Sequence, residues 1–194
     1  MVALRSYDIW HLLKSLDGPL QRFPDQHNPE GTVQILPDVI THGLRVLFCG
    51  SAAGTKSALL GAYFAGPGNR FWPTLHEIGL TPRILQPIEF KCSLVYGLGL
   101  TDLAKNTFGP DSSLSAKAYD STRLRGTVEG FAPSVLAFNG KAPARAFLEH
   151  PVKYGLQPEQ INDTSIFVLP STSGAARRYW DSQQWHDLSR LVTR

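Results

Sequence analysis

Four groups of polar or small residues stand directly after apolar runs that predict buried strands. The groups are Gly50-Ser51, Asp102, Asn139-Gly140-Lys141 and Pro170 to Gly174. In a parallel sheet the carboxyl ends of the strands share one edge, and ligands bind in the crevice outside those ends. The four groups are therefore predicted to meet around one composite site, although their placement does not name its chemistry.

The strands that position these groups alternate with helical segments. Predicted strands cover residues 46–49, 98–101, 134–138 and 165–169. Predicted helices begin near residues 71, 122, 142 and 185, and residues 105–121 are predicted as a surface loop because they show no clear period. The β-loop-α order predicts an α/β fold, a three-layer α/β/α sandwich with a mainly parallel central sheet.

The chain is predicted to contain one domain, residues 41–194, preceded by an extension, residues 1–40. Prolines are spread through the extension, and Ile9, Leu12, Leu13 and Leu16 have the spacing of one short amphipathic helix. With 194 residues, 42% of them hydrophobic, the chain is long enough and apolar enough for a sizeable core, which excludes a disordered protein.

Charge and cysteine usage narrow the function classes further. The net charge of +3 permits an anionic partner such as nucleic acid but does not demand one. No apolar run is long enough to span a bilayer, and the amino terminus is too polar for a secretory signal. Cys49 and Cys92 match no metal spacing and are predicted to be free thiols in a reducing cytosol, so a cytoplasmic location is expected.

A phosphate-binding loop is one interpretation of the segment after the first strand. Gly50, Lys56 and Ser57 have the spacing of a P-loop, G-x-x-x-x-G-K-[ST]. Thr55 stands where the second glycine belongs, and Gly61 soon interrupts the helix that a P-loop requires. A P-loop-like nucleotide-binding enzyme is therefore kept as an alternative.

Five segments, in order, resemble the mismatch-specific uracil-DNA glycosylases and their relatives, the thymine-DNA glycosylases. The segments are LRVLFCG with the small residues after it (44–54), YFAGPGNRFW (63–72), GLTDLAK (99–105), NGKAPARAF (139–147) and LPSTSGAAR (169–177). The resemblance runs from about Leu44 to the last helix, and the NRFW segment is its most specific part.

This resemblance implies a uracil-DNA glycosylase-like fold and a monofunctional DNA glycosylase. Such an enzyme would remove uracil or a related deaminated, mismatched or modified base and so begin base excision repair. The implied partner is double-stranded DNA that carries a damaged or mismatched base, with single-stranded DNA left open. A monomer is expected, with no cofactor, no metal and no membrane association, and the preferred base stays open.

The resemblance also implies a pocket for the flipped base. Phe64 would stack on the base with Tyr63 beside it, although both aromatics could instead be core residues. Backbone N–H groups of the segment Gly50, Ser51, Ala52 and Ala53 would hold the base oxygens. Asn69 would either contact the base or cap the helix that it precedes.

Catalysis is assigned to Asp102 because the chain departs from the family at its first motif. The family's motif is G-I-N-P-G, in which the Asn positions the attacking water, and here Ala52 replaces that Asn. An Ala methyl group cannot hydrogen-bond water, so Asp102 is predicted to activate the water instead. The alternatives are an ordinary capping role for Asp102 and a DNA-binding relative that is weak or inactive.

The remaining matched residues are predicted to contact the DNA. Gly140, Lys141, Ser171 and Ser173 would hold phosphates beside the flipped nucleotide. Gly174, Ala175 and Arg177 would brace the gap in the duplex, where Ala175 is only a small wedge, so Arg177 or Arg178 would contribute more. The alternative for these arginines is a solvated helix start.

Overall fold

The computed structural model describes residues 34–193, in which strands and helices alternate. The strands are β1 Val46–Ala53, β2 Leu98–Phe108, β3 Val135–Asn139, β4 Gly155–Ile161 and β5 Thr164–Leu169. The α-helices are α1 Thr55–Leu60, α2 Phe71–Glu77, α3 Ser121–Phe131, α4 Lys141–Leu148 and α5 Gln183–Val192. Short 3-10 segments cover Pro87–Tyr96, Asp111–Ser113, Ala116–Ala118 and Gly174–Tyr179.

The strands form one sheet with the order β2-β1-β3-β5-β4. β1 is parallel to β2 and β3, and β3 is parallel to β5, whereas β4 runs antiparallel to β5. The strands β1, β3 and β5 are mostly apolar and nearly fully buried, as expected for a sheet covered on both faces. The predicted α/β fold with a mainly parallel sheet is confirmed.

Two hydrophobic clusters separate the sheet from the helices on its two faces. Val46 and Phe48 of β1 pack into the cluster that includes α2 and α5, whereas Leu47 and Cys49 pack into the cluster that includes α3 and α4. This alternation follows from the period of two along a strand. The arrangement is the three-layer α/β/α sandwich that the sequence predicts.

β2 differs most from the prediction. It continues from Leu98 to Phe108, so Asp102 lies inside the strand and not after it, and the prediction of a loop from residue 105 is wrong. β1 likewise extends through Ser51–Ala53, which were expected to form a loop. β4 was not predicted at all, and residues 111–113 and 116–118 form 3-10 turns.

Residues 34–40 pack on the edge of the sheet at β2. Val39 forms an antiparallel bridge with Leu100, and the two residues exchange N–H···O bonds of 2.9 Å. Leu36 and Val39 are buried, so this segment covers an edge strand that would otherwise expose unpaired backbone groups. The helix predicted around residues 9–16 lies outside the described residues.

The structure does not form a P-loop after β1. Gly50–Ala53 are extended and pair with β2, and α1, which follows, has only six residues. A P-loop requires a curved loop whose N–H groups converge on phosphate, followed by a sustained helix.

Among the described residues, no helix is long and apolar enough to cross a membrane.

Candidate functional site

An open cavity of about 860 Å³ lies where the end of β1, the end of β3 and the loop after β5 meet. The predicted site residues that line it are Gly50, Ser51, Ala52, Ala53, Tyr63, Phe64, Asn69, Asp102, Ser171, Ser173, Gly174 and Ala175. Gly140, Lys141 and Arg177 are not part of its lining. The structure thus brings most of the predicted residues to one cavity.

The crevice opens because the strands β1 and β3 separate. Their pairing ends at Cys49 and Phe138, whereas β1 remains paired with β2 on its other side. From Gly50 onward, every second residue of β1 therefore directs its backbone N–H and C=O toward the crevice. Because β3 no longer pairs with β1 there, these groups can hydrogen-bond a ligand in the crevice.

Asp102 forms part of the cavity wall although it is only 3% exposed. It lies opposite Gly50 in the parallel pairing of β2 with β1. A Cβ atom at Gly50 would come within 2.5 Å of Asp102 Oδ1, so the carboxylate occupies the space that this glycine leaves. Burial raises the pKa of Asp102 from an ordinary 3.8 to about 7, and nearby Lys105 opposes this increase.

A group of charged side chains lies next to Asp102, and we call it the Asp38 cluster: the buried side chains of Asp38 and Lys105 with the partly buried side chain of Arg123. Lys105 Nζ lies 2.7 Å from Asp38 Oδ1, and Arg123 donates to Asp38 Oδ2 at 2.9 Å. The sequence analysis did not identify these residues. The sequence offered one indication of this cluster: Lys105 is a charged residue at the end of the mostly apolar segment LGLTDLAK, which contains Asp102.

The two neighbouring aromatics have different environments. Phe64 has a positive φ of 55°, which is unusual for a bulky residue, and it stacks on Phe71 with ring centroids 3.8 Å apart. Tyr63 is fully buried, and its hydroxyl donates to Pro37 O at 3.2 Å and accepts from Lys105 Nζ at 3.0 Å. Phe64 is therefore the partly accessible ring in the cavity, whereas Tyr63 belongs mainly to the core.

Two asparagines organise the loops of the cavity. Asn69 Oδ1 accepts from Phe71 N at 2.9 Å, at the start of α2, which supports the capping alternative for this residue. Asn139 donates to Thr172 Oγ1 at 2.8 Å and accepts from Thr172 N at 3.0 Å. Asn139 therefore fixes the loop after β5 to the end of β3.

The loop after β5 packs closely against the loop before α2. Arg70 N donates to Thr172 O at 2.9 Å, and a Cβ atom at Gly174 would lie 2.7 Å from Pro67 O. The Arg177 side chain lies against Gly68. Arg177 thus sits beside the cavity rather than in it.

The other predicted phosphate contacts lie at the start of α4. Gly140 has a φ of 128°, a conformation that favours glycine, and Lys141 is the first residue of the helix. The Lys141 ammonium lies 4.2 Å from the centroid of the Tyr154 ring. Gly140 lies near Ser171, and both Gly140 and Lys141 are outside the cavity lining.

The structure adds rim residues that the sequence analysis missed. Asp111 and Ser112 line the cavity from the segment after β2, and both are exposed. Leu59 of α1 also lines it and is 77% exposed, although it is a large apolar side chain. No signal in the sequence distinguished these residues, because their position depends on the extended courses of β1 and β2.

Comparison with known proteins identifies a family. The family model described as the Uracil DNA glycosylase superfamily matches residues 37–190. The solution NMR structure of a proposed uracil DNA glycosylase from Methanosarcina acetivorans is also similar, with a TM-score of 0.57 and 22% sequence identity. The similarity covers 84% of this chain and 99% of that protein, and at this identity it concerns the fold alone.

Proposed function

Because the chain belongs to the uracil DNA glycosylase superfamily, we propose that it is a monofunctional DNA glycosylase. It would hydrolyse the N-glycosidic bond of uracil or a related deaminated, mismatched or modified base, leave an abasic site and so begin base excision repair. The YFAGPGNRFW segment favours the mismatch-specific and thymine-DNA glycosylases within the superfamily. The buried carboxylate of Asp102 in the cavity wall is the observation that carries this proposal.

The cavity supports binding of a base that has left the stack. Phe64 presents a ring already stacked on Phe71, and stacking on an aromatic ring contributes about 1–3 kcal/mol per base. The free backbone edge of β1 beyond Cys49 offers hydrogen-bond groups to the polar edge of the base. Because Ala52 and Ala53 are small, the pocket suits more than one base, and the proposal leaves the preferred base open.

Asp102 supports the hydrolytic step. Cleavage of the C–N bond develops positive charge on the sugar, which a nearby carboxylate stabilises. The ionised carboxylate also accepts a proton from water as the water oxygen bonds to the anomeric carbon and the base leaves. With a pKa of about 7, Asp102 can accept this proton near neutral pH. It would thereby replace the missing asparagine of the first motif.

The rim supports engagement of a DNA strand. Ser171 and Ser173, with the start of α4 at Gly140 and Lys141, would hold phosphates, and Arg177 would reach the strand beside them. Ala175 is too short to fill the gap left by a flipped nucleotide. Leu59, exposed on the rim, is apolar and large enough to enter this gap.

We propose that the protein acts as a monomer on DNA in the cytoplasm.

The test is a cleavage assay on oligonucleotides that each carry one modified base, single-stranded or opposite each normal base. Alkali reveals the abasic sites. We expect Asp102→Asn to abolish cleavage while leaving DNA binding largely intact. Asp111→Asn is the matched control, because it removes an exposed carboxylate from the same cavity and should leave cleavage nearly unchanged. Full activity of Asp102→Asn would remove the assigned role.

A DNA-binding relative without catalysis is the second candidate, and Ala52 favours it because its methyl group cannot orient water. This candidate predicts salt-sensitive DNA binding with no cleavage of any oligonucleotide in the panel. Cleavage that depends on Asp102 would exclude it.

A further inference from the structure

The Asp38 cluster joins three parts of the fold at the edge of the sheet. Asp38 precedes β1, Lys105 belongs to β2 and Arg123 belongs to α3. The side chains of Lys105 and Asp38 are only 4% and 8% exposed, so their ion pair lies in the protein interior. Buried charges are costly unless they are paired and hydrogen-bonded, and both members of this pair have such partners.

The cluster holds the main chain of β2 on both sides of the Asp102 peptide. Arg123 donates to the carbonyl oxygen of Asp102 at 2.6 Å. The hydroxyl of Thr101, the preceding residue, donates to Asp38 Oδ1 at 2.6 Å. These two bonds fix the backbone from which the Asp102 side chain extends toward Gly50 and the cavity.

The cluster also carries one surplus positive charge. One anion, Asp38, faces two cations, Lys105 and Arg123, so the ionised carboxylate of Asp102 makes the four groups neutral together. Cys49 and Tyr63 also interact electrostatically with Asp102, but burial raises the pKa values of both well above the neutral range, so neither contributes charge. The charge of Asp102 is therefore balanced by this cluster.

We propose that Asp38, Lys105 and Arg123 are positioning residues that fix Asp102, balance its charge and set the pH above which the site is active. This inference rests on the proposed function of Asp102. Lys105 favours the ionised carboxylate, whereas Asp38 opposes it. The two partners of one ion pair thus act on the site in opposite directions.

The opposite effects of Lys105 and Asp38 on Asp102 are tested by measuring the single-turnover cleavage rate between pH 5 and 9. Without the Lys105 cation, the carboxylate ionises at higher pH, so Lys105→Met should move the midpoint of the rate upward by about one pH unit. Without the Asp38 anion, Asp38→Asn should move it downward by about the same amount. The double variant keeps the net charge and should return the midpoint close to that of the wild-type protein.

A merely structural role gives a different result, because both single variants break the same ion pair. Midpoints that move in the same direction, or do not move, would overturn the inference. If one single variant does not fold, the other decides, because each is expected to move the midpoint in a stated direction. A wild-type midpoint in that variant, or a shift in the other direction, overturns the inference.

A second measurement separates this inference from the proposed function. The carboxyl carbon of Asp102 is titrated by NMR in the free protein and assigned by its absence in Asp102→Asn. We expect the same opposite shifts for Lys105→Met and Asp38→Asn, whether or not a substrate is cleaved. Full cleavage by Asp102→Asn would overturn the proposed function, whereas a titration that is insensitive to both cluster variants would overturn the inference.

Discussion

Replacement of Asp102 by Asn should stabilise the protein at high pH. In the folded chain, burial raises the pKa of Asp102 from 3.8 to about 7. Below pH 3.8 the carboxyl is protonated in both the folded and the unfolded chain, so it does not lower the free energy of unfolding. As the pH rises from 3.8 to about 7, the unfolded chain releases this proton while the folded chain retains it, so stability is lost over this range and the loss is complete above about pH 7. The total loss is about 4 kcal/mol.

The Asn side chain is close in shape to the protonated carboxyl and does not ionise. Asp102→Asn should therefore have a free energy of unfolding about 2–4 kcal/mol higher than wild type at pH 8, with little difference at pH 4. The lower figure allows for the hydrogen bonds that the buried amide itself requires. For a domain of this size, the melting temperature at pH 8 should rise by roughly 5–15 °C.

Urea denaturation followed by circular dichroism, repeated at intervals between pH 4 and 9, measures this difference. The control is Asp111→Asn, because that carboxylate is exposed and its replacement should change stability little at every pH. A wild-type protein that is as stable as Asp102→Asn at pH 8 would refute the argument. A stabilisation that does not vary with pH would also refute it, because ionisation would then not be its cause.

Two further substitutions test the cavity and its rim. Gly50→Ala should lower the cleavage rate by tenfold or more with little effect on DNA binding, because the added Cβ displaces the Asp102 carboxylate. The control is Gly54→Ala, where a Cβ meets nothing within 4 Å, and it should leave the cleavage rate nearly unchanged. Leu59→Ala should reduce cleavage of double-stranded DNA about tenfold relative to single-stranded DNA. Its control is Ile88→Ala, which removes a side chain that is 72% exposed but outside the cavity lining. Equal effects of Leu59→Ala on double-stranded and single-stranded DNA would contradict the proposed role of Leu59.

The strands that the sequence predicted well are those whose residues are apolar without interruption. The runs that end at Cys49, Phe138 and Leu169 are buried on both faces, so their composition alone indicates parallel strands. Their carboxyl ends could be placed at one edge without any knowledge of tertiary contacts. This is why most of the predicted site residues lie at one cavity.

β2 and β4 were harder to predict because their composition is set by tertiary partners. In β2, Asp38 accepts from the Thr101 hydroxyl and pairs with Lys105. Arg123 donates to the backbone carbonyl oxygen of Asp102, not to its carboxylate. Asp38 lies 63 residues from Thr101 and 85 from Arg123 along the chain, so no local pattern could reveal the cluster. In β4, Pro158 is tolerated because, among the described residues, this strand pairs with β5 alone at the edge of the sheet.

The position of β2 at the edge of the sheet connects the fold with the proposed chemistry. A strand in the centre has neighbours on both sides, and a chain segment such as residues 34–40 could not reach it there. At the edge, Val39 pairs with Leu100, and this pairing brings Asp38 beside Thr101. The same strand meets β1 at Gly50, where the absent side chain leaves room for the Asp102 carboxylate. The edge strand β2 thus places Asp102 between the Asp38 cluster, which balances its charge, and the cavity, into which its carboxylate extends. Burial of Asp102 lowers the stability of the protein, and the same burial makes its carboxylate available as a base near neutral pH.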